Sequence, residues 1–142
     1  MQNDERKKDN MISIEVNNVK ISFEEESLRF ILYQEGTAWE WMESYRPHFE
    51  YEGGNLEFKD AVSVSHERVD NGLGEGIRSR YQGFVVGGTK VPYTFETYVW
   101  IERTTGHIYF EWIPVCEEGL QVKRVYWPGA MAFEEKRKDW YT

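Results

Sequence analysis

The chain has 142 residues, with 17 Lys and Arg against 25 Asp and Glu, and a formal net charge of −8 with its three histidines neutral. That balance excludes a binder of nucleic-acid backbones, which needs a basic face. Six Trp, nine Tyr and eight Phe exclude a disordered acidic tail, and the lone Cys116 excludes an internal disulfide framework or an all-cysteine zinc site.

Residues 1–10 mix both charge signs and contain no apolar run, so they are expected to form a flexible arm rather than a signal peptide. Residues 11–142 then read as a single domain, long enough to bury a core without staples. No apolar stretch approaches the ~20 residues that cross a bilayer, and no membrane partner is expected. One unpaired cysteine fits a reducing compartment, and the expected location is cytoplasmic.

From Met11 the dominant period is two. Ile12, Ile14 and Val16 alternate with Ser13 and Glu15, Asn17-Asn18 turns the chain, and Val19, Ile21 and Phe23 resume the pattern. This predicts a hairpin with a two-residue loop. Leu28, Phe30 and Leu32 give a third strand. Trp39-Glu40-Trp41 gives a short fourth one, with both indoles on one face. The stretch from Arg46 to Asn55 reads as irregular. A half-exposed strand is predicted over about Ala61 to Val69, followed by a glycine-rich loop from Asp70 to Gly76.

The second half carries the longest strands. Ile77 to Val86 ends at Gly87-Gly88. In the next run Val91, Tyr93, Phe95, Thr97, Val99 and Ile101 share one face, and Thr94, Glu96, Tyr98, Trp100 and Glu102 the other. Ile108, Phe110 and Trp112 alternate in the following strand, whose Pro114 marks a strand end or a sheet edge. Leu120, Val122, Val125 and Trp127 close the series. One short helical turn is expected within Ala130 to Tyr141.

About nine strands with short connections and no crossover helices cannot form a parallel sheet. The fold class is therefore all-β, an antiparallel β-sandwich with little helix; a barrel is the other closed solution. Apolar and aromatic side chains on both faces of Tyr93 to Glu102 imply a sheet covered on both sides.

No catalytic motif stands out. Gly72-Leu73-Gly74-Glu75-Gly76 has neither the spacing nor the following helix of a dinucleotide fingerprint, and Glu75 repels an anion. His48, His66 and His107 lie far apart, with no paired-ligand spacing. Cys116 stands beside Glu117 and Glu118, which oppose thiolate formation. No metal site, cofactor or catalytic residue is assigned.

Among the carboxylates, Glu96, Glu102 and Glu111 project from strands; they suit ligand hydroxyls, or more plainly cross-strand pairs with Arg78, Arg80 or Arg103. The tryptophans suit sugar rings or a core. Candidate ligand-binding residues are Trp39, Trp41, Trp100 and Glu96.

The segment Leu120 to Phe133, with its strand ending in Val125-Tyr126-Trp127-Pro128-Gly129, resembles the end of the N-terminal β-sandwich of multidomain glycoside hydrolases. That sandwich is the galactose-mutarotase-like supersandwich that precedes the catalytic barrel in α-glucosidase and α-galactosidase relatives. Ser27-Leu28-Arg29-Phe30, Tyr81-Gln82-Gly83-Phe84, Tyr93-Thr94-Phe95-Glu96-Thr97 and Ile108-Tyr109-Phe110-Glu111-Trp112 are similar to its other strands, in order.

The resemblance implies a non-catalytic scaffold partnered by a catalytic barrel that supplies the acid and nucleophile, with a role in carbohydrate recognition. A chain of 142 residues has no room for a barrel of ~250 after the sandwich. Two other readings are a stand-alone carbohydrate-binding module, and a β domain that binds a small ligand or a protein.

Overall fold

The structure, a computed structural model, describes residues 11–34, 37–41, 46–128 and 131–133, with side chains for 11–33 and 46–128. The expected arm at residues 1–10, Trp140, the side chains of Trp39 and Trp41, and the 134–141 part of the expected helical turn lie outside these described residues.

The described chain is all-β, with twelve strands in three antiparallel sheets. β1 (Met11–Val16), β2 (Val19–Glu24), β3 (Phe30–Gln34) and β4 (Thr37–Trp41) form a meander. Its outer edge is closed by β12 (Met131–Phe133). β5 (His48–Tyr51) and β6 (Gly54–Glu57) make a hairpin, joined by β11 (Val122–Tyr126). β7 (Ser63–Asp70), β8 (Gly74–Val86), β9 (Thr89–Glu102) and β10 (Ile108–Cys116) form a four-stranded sheet in the order β10-β9-β8-β7. A 3-10 turn at Phe58–Asp60 links β6 to β7.

The first hairpin has the expected register, with Val16 opposite Val19 and Asn17 at φ 55°. Asn visits this left-handed conformation more readily than most residues, and here its Nδ2 donates to the Arg103 carbonyl at 2.6 Å.

Three expectations are corrected. The stretch around Phe49 and Tyr51 is the β5–β6 hairpin, whose strands of four residues are too short to show a period. Gly74 and Gly76 belong to β8 rather than to a loop. Met131–Phe133 pairs with β4 as a strand instead of entering a helical turn, because an open sheet edge outweighs weak helix tolerance.

The four-stranded sheet is central. On its inner face Ile77, Tyr81, Phe95, Val99 and Ile101 are buried. β1 lies across β8 and β9, so Ile14, Val16 and Ile21 join the same apolar core. At the other end Phe49 of β5 meets Phe84, Tyr93 and Phe95 at ring-centroid distances of 5.3, 5.7 and 5.9 Å. Phe58 enters from the 3-10 turn, 4.9 Å from Phe95 and 5.4 Å from Tyr81. Burying each such ring is worth up to about 3 kcal/mol.

Trp127, at the cis Trp127–Pro128 peptide, packs between Phe58 and Phe110. It is a core residue. Pro114 lies on the edge strand β10, beside a register shift between Pro114 and Cys116. An edge position tolerates the missing donor.

Candidate functional site

Strand alternation leaves the outer face of the four-stranded sheet to Thr94, Glu96, Tyr98, Trp100 and Glu102 of β9. The register sets Tyr109 opposite Trp100, Glu111 opposite Tyr98 and Ile113 opposite Glu96 on β10. On β8, Gly76 faces Trp100, Arg78 faces Tyr98 and Arg80 faces Glu96. The three strand carboxylates at 96, 102 and 111 therefore share one face.

Glu96 is only 7% exposed. Its Oε2 accepts hydrogen bonds from Arg78 at 2.8 Å and Arg80 at 3.1 Å, and the Tyr98 hydroxyl stands 3.5 Å from its Oε1. The Arg78 hydrogen bond, aided by the charges of both guanidiniums, holds its carboxyl below the usual range. Arg78 also reaches Glu67 at 2.9 Å, so the cluster of two Arg and two Glu is neutral. Arg103 turns instead to Asp70, at 2.8 Å, and Glu75, at 3.2 Å. The Arg103 hydrogen bond lowers the Asp70 carboxyl.

Trp100 lies four residues from Glu96, about 13 Å along an extended strand. It rests on glycine backbone. A Cβ at Gly74 would stand 2.7 Å from its ring, and one at Gly76 would stand 2.3 Å from its Cβ. Any other residue at either position also collides with the β9 backbone, at the Ile101 carbonyl oxygen (2.2 Å) for Gly74 and the Val99 carbonyl oxygen (2.5 Å) for Gly76. Tyr109 flanks the ring at 5.7 Å, tilted by 42°.

A pocket of about 250 Å³ opens beside this indole, lined by Val69, Asn71, Gly74, Tyr98, Trp100 and Glu111. Asn71 is placed by the turn between β7 and β8, where its Oδ1 accepts from the Leu73 and Gly74 amides at 3.0 and 3.1 Å.

Of the sequence candidates, Trp100 lines this pocket, and Glu96 stands apart in the ion cluster. Trp39 and Trp41 lie on β4, in the five-stranded sheet, with side chains outside the described residues. Asn71 and Tyr98 were missed, and Glu111 was noted only as a strand carboxylate. The opposition of a G-x-G strand to a tryptophan was the available signal, because glycines at alternate positions clear one face for a flat ring.

The remaining polar groups are dispersed. His48 stacks on Tyr126 at 4.5 Å. His66 bonds the Glu25 carbonyl and the Ser79 hydroxyl, both at 2.7 Å, and burial pushes its imidazole below its ordinary value. Among the described residues no group of three or more His, Cys, Asp or Glu could hold a metal ion, and no helix is long and apolar enough to cross a membrane.

No family model matches the chain, and no significant match is found among curated proteins. Solved structures do match. The α-N-acetylgalactosaminidase NagBb from Bifidobacterium bifidum, in its GalNAc complex, is 35% identical with a TM-score of 0.76, over 87% of this chain. Its Gal-NHAc-DNJ complex gives 33%, 0.76 and 85%, and its ligand-free form 34%, 0.73 and 86%. This chain covers 19% of NagBb in each case. The chain is thus a β-sandwich related in sequence and fold to about a fifth of NagBb, a glycoside hydrolase.

Proposed function

We propose that the chain is a non-catalytic β-sandwich domain of a glycoside hydrolase acting on α-linked N-acetylgalactosaminides. It serves as a scaffold for a catalytic barrel and contributes an aromatic face to carbohydrate recognition. The observation that carries this reading is the 33–35% identity to one fifth of NagBb, maintained over 85–87% of the present chain. On the same reading residues 11–142 are one domain of the supersandwich type, and Trp39, Trp41, Trp100 and Glu96 are candidates for sugar contact. The proposed compartment is the cytoplasm, on the strength of the single free cysteine.

The carboxylate chemistry supports a scaffold. Glycoside hydrolysis needs one carboxyl kept protonated by a raised pKa and a second that stays ionised. The most buried described carboxylate on the outer sheet face, Glu96, is driven the opposite way by Arg78. It accepts from two guanidiniums and has no acid's proton to give. Ile113 and Val115, 40% and 46% exposed along β10, offer apolar surface on which the catalytic barrel can sit.

The test is turnover by the purified 142-residue chain on aryl α-N-acetylgalactosaminide and related aryl glycosides. The expected rate equals that of buffer. Saturable hydrolysis that follows the protein through purification would overturn the non-catalytic reading.

A further inference from the structure

The pocket beside Trp100 is more than a scaffold requires. We propose that it is a subsite for one neutral pyranose ring of a saccharide; this deepens the carbohydrate role above and rests on that reading. At about 250 Å³ it is smaller than typical sites for drug-sized ligands, which start at about 300 Å³. It takes one ring rather than a peptide segment.

Each wall has a role in that recognition. The Trp100 ring lies against the Gly74 backbone, and both residues line the pocket, so the indole offers it an aromatic wall. The negative π face attracts the polarised C–H groups on the apolar side of a pyranose. Glu111 is exposed and makes no hydrogen bond or ion pair among the described residues. An ionised carboxylate only accepts, so it suits two sugar hydroxyls.

Asn71 has its Oδ1 committed to the Leu73 and Gly74 amides. That fixes the amide and leaves Nδ2 to donate to a sugar oxygen. Tyr98, opposite Glu111 in the ladder, is tethered through its hydroxyl to Glu96. The half-exposed Arg78 and Arg80, which hold the buried Glu96, thereby act at a distance as a support for the pocket wall.

The electrostatics select against other ligands. An anionic sugar or phosphate meets the Glu111 charge with no free guanidinium in the pocket lining. A flat apolar protein surface would bury that carboxylate unpaired. A neutral polyol satisfies it.

The test is NMR titration of the full 142-residue chain with galactose, N-acetylgalactosamine and glucose in turn. The expected result is saturable shifts of the Trp100 indole and the amides of Asn71, Gly74, Tyr98 and Glu111 with at least one sugar. Binding should weaken about tenfold or more in Trp100→Ala and in Glu111→Ala. Glu111→Ala removes an exposed side chain that bonds to nothing described, so it leaves the fold intact and its spectrum otherwise unchanged.

Absence of saturable shifts with all three sugars overturns the subsite, as do shifts centred on another region or equal affinity in Glu111→Ala. Concentration-dependent self-association through this face, without sugar shifts, also overturns it in favour of a protein interface. A failure here leaves the glycoside hydrolase assignment standing, since that is tested by enzymatic activity and not by binding to this chain.

Discussion

Replacing Gly76 by alanine probes the contact on which the outer face is built. The new Cβ would lie 2.3 Å from the Trp100 Cβ, 2.5 Å from the Val99 carbonyl oxygen and 2.9 Å from the Trp100 Cα. Carbon atoms pack at about 3.5–4.0 Å, so the overlap exceeds about 1 Å. Two of the three obstacles are backbone atoms of β9 and cannot rotate away. The β8–β9 ladder must open around the Gly76–Trp100 pair instead. Overpacking of this kind costs about 1–3 kcal/mol, and the rigid obstacles put Gly76→Ala at about 3 kcal/mol. For a domain of this size that lowers Tm by about 10 °C.

The control is Gly72→Ala, at φ 85° with no atom within 4 Å of the new Cβ. It suffers only the left-handed backbone penalty, about 1–2 kcal/mol. Calorimetry of the three proteins decides. A Gly76→Ala variant that melts within about 2 °C of the parent, or above Gly72→Ala, refutes the close β8–β9 contact.

Three further outcomes are expected. Glu96 has a folded-state pKa below its unfolded value, so its stabilisation is full above about pH 4.3 and is lost as pH falls through the folded value. Glu96→Gln should flatten the acid limb of the urea-midpoint profile, and an unchanged limb would count against the ion cluster. His66 is also depressed, by burial, so stability should decline as pH falls below about 6.5. His66→Gln should remove that slope between about pH 7 and 5, and a persistent slope would assign it elsewhere. The Tyr81 hydroxyl is buried without a hydrogen-bond partner among the described residues, so Tyr81→Phe should raise denaturant stability by about 1 kcal/mol. A comparable loss would reveal a partner for the hydroxyl.

The long strands were legible because alternation survives on them. Tyr93, Phe95, Val99 and Ile101 read inward and are buried, while Glu96 and Trp100 read outward and share the opposite face. The antiparallel sandwich follows from short turns between such strands.

The misses are local signals overruled by pairing. Gly74 and Gly76 carry turn propensity, yet β9 recruits them because only glycine fits beneath Trp100. His48–Tyr51 and Gly54–Glu57 are too short for a period, and β11, about 70 residues later, defines their sheet. The pocket was half legible. Trp100 was visible as an outward aromatic, but the pairing of Glu111 with Tyr98 depends on the β9–β10 register. The reach of Asn71 depends on closure of a turn that composition does not specify.

The central claim is that this sandwich is part of a glycoside hydrolase. Its most direct test is immunodepletion of source-cell extract with an antibody against residues 11–128, followed by assay of α-N-acetylgalactosaminidase activity. The account predicts that activity leaves the supernatant and is recovered with the antibody. Complete removal of the protein with all glycosidase activity left in the supernatant would contradict it.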